Sequence, residues 1–468
     1  MYIDVTMPKM AMTSRTPRPS VRIQPPKFKI KEPTSPRFRN SARFQKQNDL
    51  VRQTAIIPNA PMSPQDVIQQ YSCFLTSHEL TEIFGFKEIY YLGRLSQKVI
   101  PHIGLSHNRG FDDNNGNLKV KIDDHLSYRY QIKQILGMSD HAITTLSYDH
   151  KMRRNFVVKI MSSTSSSFEL PALKKLSYSK NIVHLYSSFI FRNHIIMCLE
   201  VLGGNVYSIL SAKPDAASLN LARSVGKCLF AALNDCHSQK IYHGKINSRN
   251  ILVDPALIHA SFKLADFSSC NLFEKFKKSP KRLIERTPEE ILVYKAYPDK
   301  IDIWNAALTL ANIALGTPLI QGKNPKSIIF EIRRISGEPP PQVASSCEKP
   351  DLLVMTVEDT KKKQETIVIK EEEIPMNLEQ KETEEEEDNY EEEVEEMIEE
   401  EEEEEEKQQG EILIPKKRDL MKLFNDQNFV DFLLKCFSWK PEERPTASQI
   451  LAMPFFAGLP ELINKKGK

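Results

Sequence analysis

The sequence has few cysteines, and none of them forms a C-x-x-C pair. Seven occur among 468 residues, and most of them stand in apolar contexts that suit small buried side chains. This usage argues against a disulfide framework and indicates a reducing, intracellular compartment.

The sequence also lacks a long, uninterrupted apolar run. Its first fourteen residues, MYIDVTMPKMAMTS, contain no apolar core of signal-peptide length. The most apolar long stretch, 303–320, is broken by Asn305, Asn312 and Pro318, which a lipid-facing helix would not tolerate well. We therefore predict a buried core helix there, and neither secretion nor a membrane partner.

The formal net charge of +2 conceals a segregation of charge along the chain. Residues 371–406 hold 23 acidic residues against one lysine, whereas residues 1–60 hold twelve basic residues against three acidic ones. We predict a disordered basic Pro/Ser-rich tail at 1–60 and an acidic disordered insertion at 341–415. The two segments would bind each other or oppositely charged partners, and a nucleic-acid partner is not expected.

Between these segments the pattern indicates folded structure. Ser63-Pro64-Gln65-Asp66 is a helix start followed by apolar residues at helical spacing, a second short helix begins near Ser77, and 111–117 is a turn. We predict strands at 131–136, 143–148, 156–161, 182–189 and 194–199, a helix at 169–176, and mostly helices after Tyr207. This order predicts a two-lobed α+β domain.

Three short segments carry a recognisable pattern: Tyr-Asp-His-Lys at 148–151, Phe-Ile-Phe-Arg-Asn-His-Ile at 189–195 and Asp-Phe-Leu-Leu-Lys-Cys at 431–436. These segments resemble the dual-specificity tyrosine-regulated (DYRK) family of protein kinases, and in particular its second class. Residues 61–127 are similar to that class's accessory N-terminal box. The resemblance implies a bilobal protein-kinase fold at 128–457, with a β-rich N-lobe at 128–202, a helical C-lobe at 203–340 and 416–457, the accessory box packed on the N-lobe, and a tail at 458–468.

The resemblance implies a nucleotide-binding site in which several of the family's usual residues are replaced. Gly137, Ser139 and Ala142 stand where kinases have three phosphate-binding glycines, and Thr144 and Val157 replace the residues that enclose adenine. On its own, this segment reads as an ordinary hairpin.

Lys159 occupies the position of the phosphate-binding lysine, with Glu169 as its expected partner. Without the motif, two such residues would be surface charges. The resemblance also assigns Glu200, Leu202 and Leu252 to nucleotide binding.

The catalytic loop, 241–252, departs furthest from the family. Active relatives have an aspartate at position 245 and a lysine at 247, where this chain has Lys245 and Asn247. A lysine is an ammonium ion at neutral pH and cannot accept the substrate's hydroxyl proton. His243 keeps a structural role, and an alternative role for Lys245 is to supply the phosphate-directed charge missing at 247.

By the same resemblance, this sequence keeps the two magnesium-binding positions of the family as Asn250 and Asp266. It also keeps Phe267, which follows Asp266, whereas Ser268 replaces the family's glycine. Outside the motif, Asn250 and Asp266 would be helix caps or turn residues.

The activation segment, 270–289, lacks the family's autophosphorylated tyrosine pair. By contrast, Glu289 and Arg444 match a buried ion pair, and Asp302 and Trp304 match the helix that anchors the catalytic loop. The sequence therefore keeps the scaffold and alters the chemistry.

We interpret the chain as a pseudokinase, a scaffold or regulator of protein partners in intracellular signalling that retains ATP and Mg²⁺ as candidate cofactors. The rival interpretation is a weakly active serine/threonine kinase. A third interpretation is an adaptor protein whose basic tail at 1–60 and Glu-rich insertion dominate its interactions.

Overall fold

The computed structural model describes residues 57–58, 61–101, 104, 108–165, 167–254, 261–276, 282–354 and 415–457. The basic tail apart from 57–58, the Glu-rich run at 371–406 and the tail at 458–468 lie outside these residues. Contacts divide the described residues into two compact units. Unit 1 contains the residues up to Ala216 and Arg223–Phe276, and unit 2 contains Ala217–Ala222 and the described part of Lys277–Ala457. This division does not coincide with the lobe boundary predicted at 202/203.

Unit 1 contains a six-stranded antiparallel sheet in the order β1-β2-β3-β4-β6-β5. Two further strand pairs, β7–β10 and β8–β9, lie outside this sheet. The strands are β1 His125–Leu126, β2 Tyr130–Ser139, β3 Ala142–Asp149, β4 Arg154–Met161, β5 Leu185–Phe191, β6 His194–Leu199, β7 Ile241–Tyr242, β8 Ile251–Asp254, β9 Ser261–Leu264 and β10 Asn271–Leu272. The five predicted strands are all present, and β1 is an addition that the sequence pattern did not indicate.

Along the chain, helices precede, interrupt and follow the strands of this sheet. Those in unit 1 are α1 Pro64–Tyr71, α2 Glu79–Glu82, α3 Glu169–Lys175, α4 Val206–Ala212 and α5 Leu219–Ser238, whose first turn belongs to unit 2. Helix α1 starts as predicted, because the Ser63 hydroxyl accepts a hydrogen bond from the Asp66 amide and Pro64 occupies the first turn.

The accessory region before β1 shares a core with the sheet. Val99, Phe111 and Leu118 are buried in one cluster with Tyr130 and Phe156 of the strands. Arg192, at the end of β5, crosses from the sheet to α2, where it donates hydrogen bonds to both carboxylate oxygens of Glu82 at 2.8 and 2.9 Å.

Unit 2 is helical. Its helices are α6 Pro288–Ile291, α7 Pro298–Leu315, α8 Pro325–Ser336, α9 Pro341–Ser346, α10 Leu420–Phe424, α11 Gln427–Cys436 and α12 Ala447–Leu451. Helix α7 is buried along most of its length, as predicted for the apolar stretch. Among the described residues, no helix is long and apolar enough to cross a bilayer.

The predicted start of the acidic insertion at 341 was wrong. Helix α9 and a 3₁₀ turn at Pro350–Leu353 continue the fold to Val354. On the other side of the insertion, Arg418 donates hydrogen bonds to Leu319 O and to Glu331 Oε2, each at 2.6 Å. Pro341 lies in the first turn of α9, where proline is favoured.

Candidate active site

A buried ion pair joins β4 to α3 in unit 1. The Lys159 ammonium donates hydrogen bonds to both carboxylate oxygens of Glu169, at 2.8 and 2.7 Å. Burial would lower the pKa of Lys159, but Glu169 and Asp266 outweigh burial and raise it. Burial raises the pKa of Glu169, with Lys159 opposing the shift. The predicted pairing is confirmed, and it holds the lysine in a charged state.

His243 fixes the start of the catalytic loop. Its Nε2 donates to Ala265 O at 3.1 Å, and its Nδ1 accepts a hydrogen bond from the Lys245 amide at 3.3 Å. The ring also packs edge-on against Phe267, with centroids 4.7 Å apart. These partners fit an imidazole with its proton on Nε2 and assign His243 a structural role.

Lys245 reaches from this loop to Asp266. Its ammonium lies 3.0 Å from Asp266 Oδ2, and the other carboxylate oxygen, Oδ1, lies 3.2 Å from the Lys159 ammonium. Burial alone would raise the pKa of Asp266, but the two ammonium groups overcome it and hold that pKa well below the usual range. The carboxylate is therefore ionised and held between two cations.

Asp266 stands in a left-handed backbone conformation, with φ of 59° and ψ of 70°. Aspartate visits this region more readily than most residues, although the conformation still stores strain. The strain is maintained because contacts from β4 and the catalytic loop both fix the carboxylate.

The two predicted metal ligands contact the same lysine. Asn250 Nδ2 donates to the Lys245 carbonyl at 2.8 Å, and Asp266 binds the Lys245 ammonium. Mg²⁺ binds its oxygen ligands at about 2.1 Å. An ion on Asp266 Oδ2 would therefore lie no farther than about 5 Å from an ammonium group.

That distance disfavours a divalent ion. Repulsion between charges of +2 and +1 at about 5 Å is on the order of several kcal/mol, before solvent screening of the partly exposed lysine reduces it. The ligand types suit Mg²⁺, but the charge of the site does not. The Lys245 ammonium therefore weakens Mg²⁺ binding at Asp266 relative to a kinase site with an aspartate at position 245.

In the hairpin of β2 and β3, which the sequence predicts to bind a nucleotide, a side chain occupies the backbone amides of the tip. Ser139 Oγ accepts hydrogen bonds from the amides of His141 and Ala142, at 3.4 and 3.2 Å. Those amides lie at the tip of the hairpin, where kinase backbones approach phosphates. The sequence showed that two glycines were missing, but it did not show that the replacement serine occupies the tip amides.

The remaining predicted nucleotide residues lie in unit 1 around this sheet. Gly137 pairs with Thr144 across the hairpin, and Val157 pairs with Leu199 on β6. Leu202 lies in the link after β6, and Leu252 lies on β8. The Glu200 carboxylate binds the Lys263 ammonium of β9 at 2.8 Å. Their role in binding a nucleotide stays a prediction.

Sequence reasoning missed Gly244. Its φ is +79°, and a Cβ atom there would lie 2.9 Å from Ser269 O. Only glycine fits this position without movement of the backbone. The signal was available, since position 244 is an arginine in the common His-Arg-Asp motif of kinases.

In unit 2, the predicted anchor pair is confirmed. The Arg444 guanidinium donates two hydrogen bonds of 2.7 Å to the Glu289 carboxylate, and both side chains are fully buried. Arg444 also lies over the Trp304 ring, 4.8 Å from its centroid. Asp302 is fully buried on α7, and its anchoring of the catalytic loop stays a prediction.

Three features together define a protein kinase domain. They are the antiparallel sheet with its lysine–glutamate pair, the loop from His243 to Asn250, and the helical unit with its arginine–glutamate anchor. Comparison with known proteins agrees, since the protein kinase domain model matches residues 130–456.

Similar proteins show which group of protein kinases this chain resembles. Dual specificity tyrosine-phosphorylation-regulated kinase 3 of Homo sapiens is 30% identical over 304 residues, which are 62% of this chain and 51% of that protein. Probable serine/threonine-protein kinase dyrk2 of Dictyostelium discoideum is 31% identical over 303 residues, 62% of this chain and 33% of that protein. Dual specificity tyrosine-phosphorylation-regulated kinase 2 of Drosophila melanogaster is 25% identical over 409 residues, 84% of this chain and 50% of that protein.

The chain therefore belongs to the protein kinase family and, within its CMGC group, to the dual-specificity tyrosine-regulated kinases. It spans about half the length of the human and Drosophila relatives.

Proposed function

We propose that this chain is a pseudokinase that acts as a scaffold or regulator of protein partners in signalling and does not transfer phosphate efficiently. The observation that carries the proposal is the ion pair between Lys245 and Asp266. A cation stands where the reaction needs a proton acceptor, and it holds the carboxylate expected to bind metal.

The hairpin of β2 and β3 also supports the proposal. A general base contributes about 10² to 10⁴ in rate, so that its loss alone would leave residual turnover. Here the loss is combined with a hairpin whose tip amides bind Ser139. Defects in proton transfer, in metal binding and in the positioning of phosphate by the hairpin act on the same step and together make turnover inefficient.

The test is a phosphoryl-transfer assay on the full chain. Radiolabelled ATP with Mg²⁺ and a general protein substrate is incubated with the wild type and with Asp266→Ala, and an active kinase is run in parallel as a positive control. We expect equal, background incorporation by the two proteins. Clear incorporation by the wild type that is lost in Asp266→Ala would overturn the proposal.

A second candidate function is a weakly active serine/threonine kinase. The observation that favours it is the intact Lys159–Glu169 pair, with contacts of 2.8 and 2.7 Å, a geometry that active kinases require. The same transfer assay decides between the two functions.

A further inference from the structure

We infer that this site binds the phosphates of a nucleotide without a divalent metal ion, with the Lys245 ammonium supplying the positive charge that the metal brings elsewhere. The inference rests on the proposed function, because it concerns a nucleotide that is bound and not turned over. It goes beyond that function by naming the ligand chemistry and the residue responsible.

The first support is the charge balance of the site. Lys159, Glu169, Lys245 and Asp266 form one chain of contacts, each between 2.7 and 3.2 Å. Two cations and two anions neutralise one another, so the site needs no further cation to offset its own carboxylates. An added dication would place further positive charge beside Lys245 before any phosphate binds.

The second support is the engagement of Asp266. Each of its carboxylate oxygens contacts a different ammonium group, Oδ1 that of Lys159 and Oδ2 that of Lys245. Mg²⁺ demands near-octahedral oxygen coordination and gives up water reluctantly. A metal would have to displace or crowd an ammonium on either oxygen, whereas a phosphate can bind the Lys245 ammonium without displacing it from Asp266.

The third support is the position of the Lys245 side chain. Its carbonyl is held by Asn250 and its amide by His243, so the residue has a fixed backbone. Its side chain is 38% exposed, and Asp266 is its one acidic partner among the described residues. An ammonium has three donors, so two protons remain to bind an anion after the bond to Asp266. Lysine binds phosphate as a point charge and needs no exact orientation.

The experiment measures ATP binding by isothermal titration calorimetry on the full chain, once in excess EDTA and once with Mg²⁺. We expect the wild type to bind ATP in EDTA with a dissociation constant within threefold of that in Mg²⁺, or lower. Lys245→Ala should weaken binding in EDTA at least tenfold. Lys245→Arg, which keeps the charge, should bind within threefold of the wild type.

Two controls separate phosphate contact from damage to the pocket. Adenosine carries no phosphate, so its binding should respond neither to Mg²⁺ nor to Lys245→Ala. Lys87→Ala removes an exposed lysine of the accessory region and should leave ATP binding unchanged. Thermal unfolding of each variant checks that it is folded.

The outcomes distinguish the inference from the function on which it rests. ATP binding that requires Mg²⁺, or that Lys245→Ala leaves unchanged, would overturn the inference while the absence of transfer still stands. A chain that binds neither ATP nor adenosine overturns it as well. Transfer that is abolished in Asp266→Ala overturns the proposed function itself.

Discussion

Replacing Arg444 by methionine should destabilise unit 2 strongly without affecting unit 1 to the same degree. The guanidinium is fully buried and donates to the Glu289 carboxylate, to Ser438 O at 3.0 Å and to Lys300 O at 3.0 Å. Methionine fills similar volume but donates no hydrogen bond. The variant leaves a buried carboxylate and two carbonyls without this partner.

The expected magnitude follows from these contacts. Breaking a buried ion pair from one side costs about 3 to 5 kcal/mol, because the remaining charge is uncompensated. Each orphaned carbonyl adds on the order of 1 kcal/mol where water cannot reach it. For a unit of this size, a total of about 6 kcal/mol lowers the melting temperature by roughly 12 to 24 °C.

Tryptophan fluorescence reports this loss selectively. The chain has two tryptophans, Trp304 and Trp439, and both belong to unit 2. Trp304 lies directly beneath the guanidinium. Urea unfolding followed by their emission therefore measures unit 2, and Lys440→Ala is the matched control. That change removes a partly exposed ion pair with Glu443 and should shift stability by less than about 0.5 kcal/mol.

A double variant tests whether the unpaired Glu289 carboxylate causes the loss of stability. Arg444→Met combined with Glu289→Leu removes both charges, and apolar replacement of a buried pair is often nearly neutral. We expect the double variant to recover at least half of the stability that Arg444→Met loses. A double variant that is no more stable than the single one would show that packing, and not an unpaired charge, dominates at this site.

Three further changes test unit 1, each read by thermal or urea unfolding with circular dichroism. Gly244→Ala should lower the free energy of unfolding by about 1 to 3 kcal/mol, since the φ of Gly244 is +79° and a Cβ would meet Ser269 O. Gly85 has open space around it, so the control Gly85→Ala should be near neutral. Equal effects of the two changes would contradict this reasoning. Burial lowers the pKa of His150 to about 4, so the unfolded state binds the extra proton and the wild type should lose about 2 kcal/mol between pH 7 and pH 5. His150→Gln should abolish that part of the loss, and an unchanged pH profile would refute the assignment. Arg192→Ala should cost about 3 to 5 kcal/mol and increase proteolysis of the accessory region, while Lys151→Ala, which removes an exposed pair between the same regions, should do neither.

The sequence predicted the elements that carry a local signal. The start of α1 at Ser63, the five central strands and the burial of α7 all follow from spacing and caps within a short window. The pairs Lys159–Glu169 and Glu289–Arg444 were predictable because the family pattern fixes both partners.

Other contacts could not be predicted because they depend on conformation rather than residue type. The bond between Lys245 and Asp266 joins positions 21 residues apart and needs the left-handed backbone at Asp266. The bonds from the hairpin tip to Ser139 depend on one hydroxyl orientation. Glu79 makes buried contacts with Lys98 of the accessory region and with His125 of β1, although these residue types alone indicate surface charges.

The retained kinase pairs and the altered lysine therefore differ in what they indicate about catalysis. Loss of either partner of Lys159–Glu169 or Glu289–Arg444 leaves a buried charge, so stability alone favours keeping both, with or without turnover. Lys245 is partly exposed, and the fold does not need its ammonium to bury apolar surface. Intact buried pairs are consequently weak grounds for assigning kinase activity, because a chain that only folds would also keep them. The partly exposed catalytic-loop residue, which the fold tolerates as aspartate or lysine, carries the information about chemistry, and here it is a cation bound to Asp266.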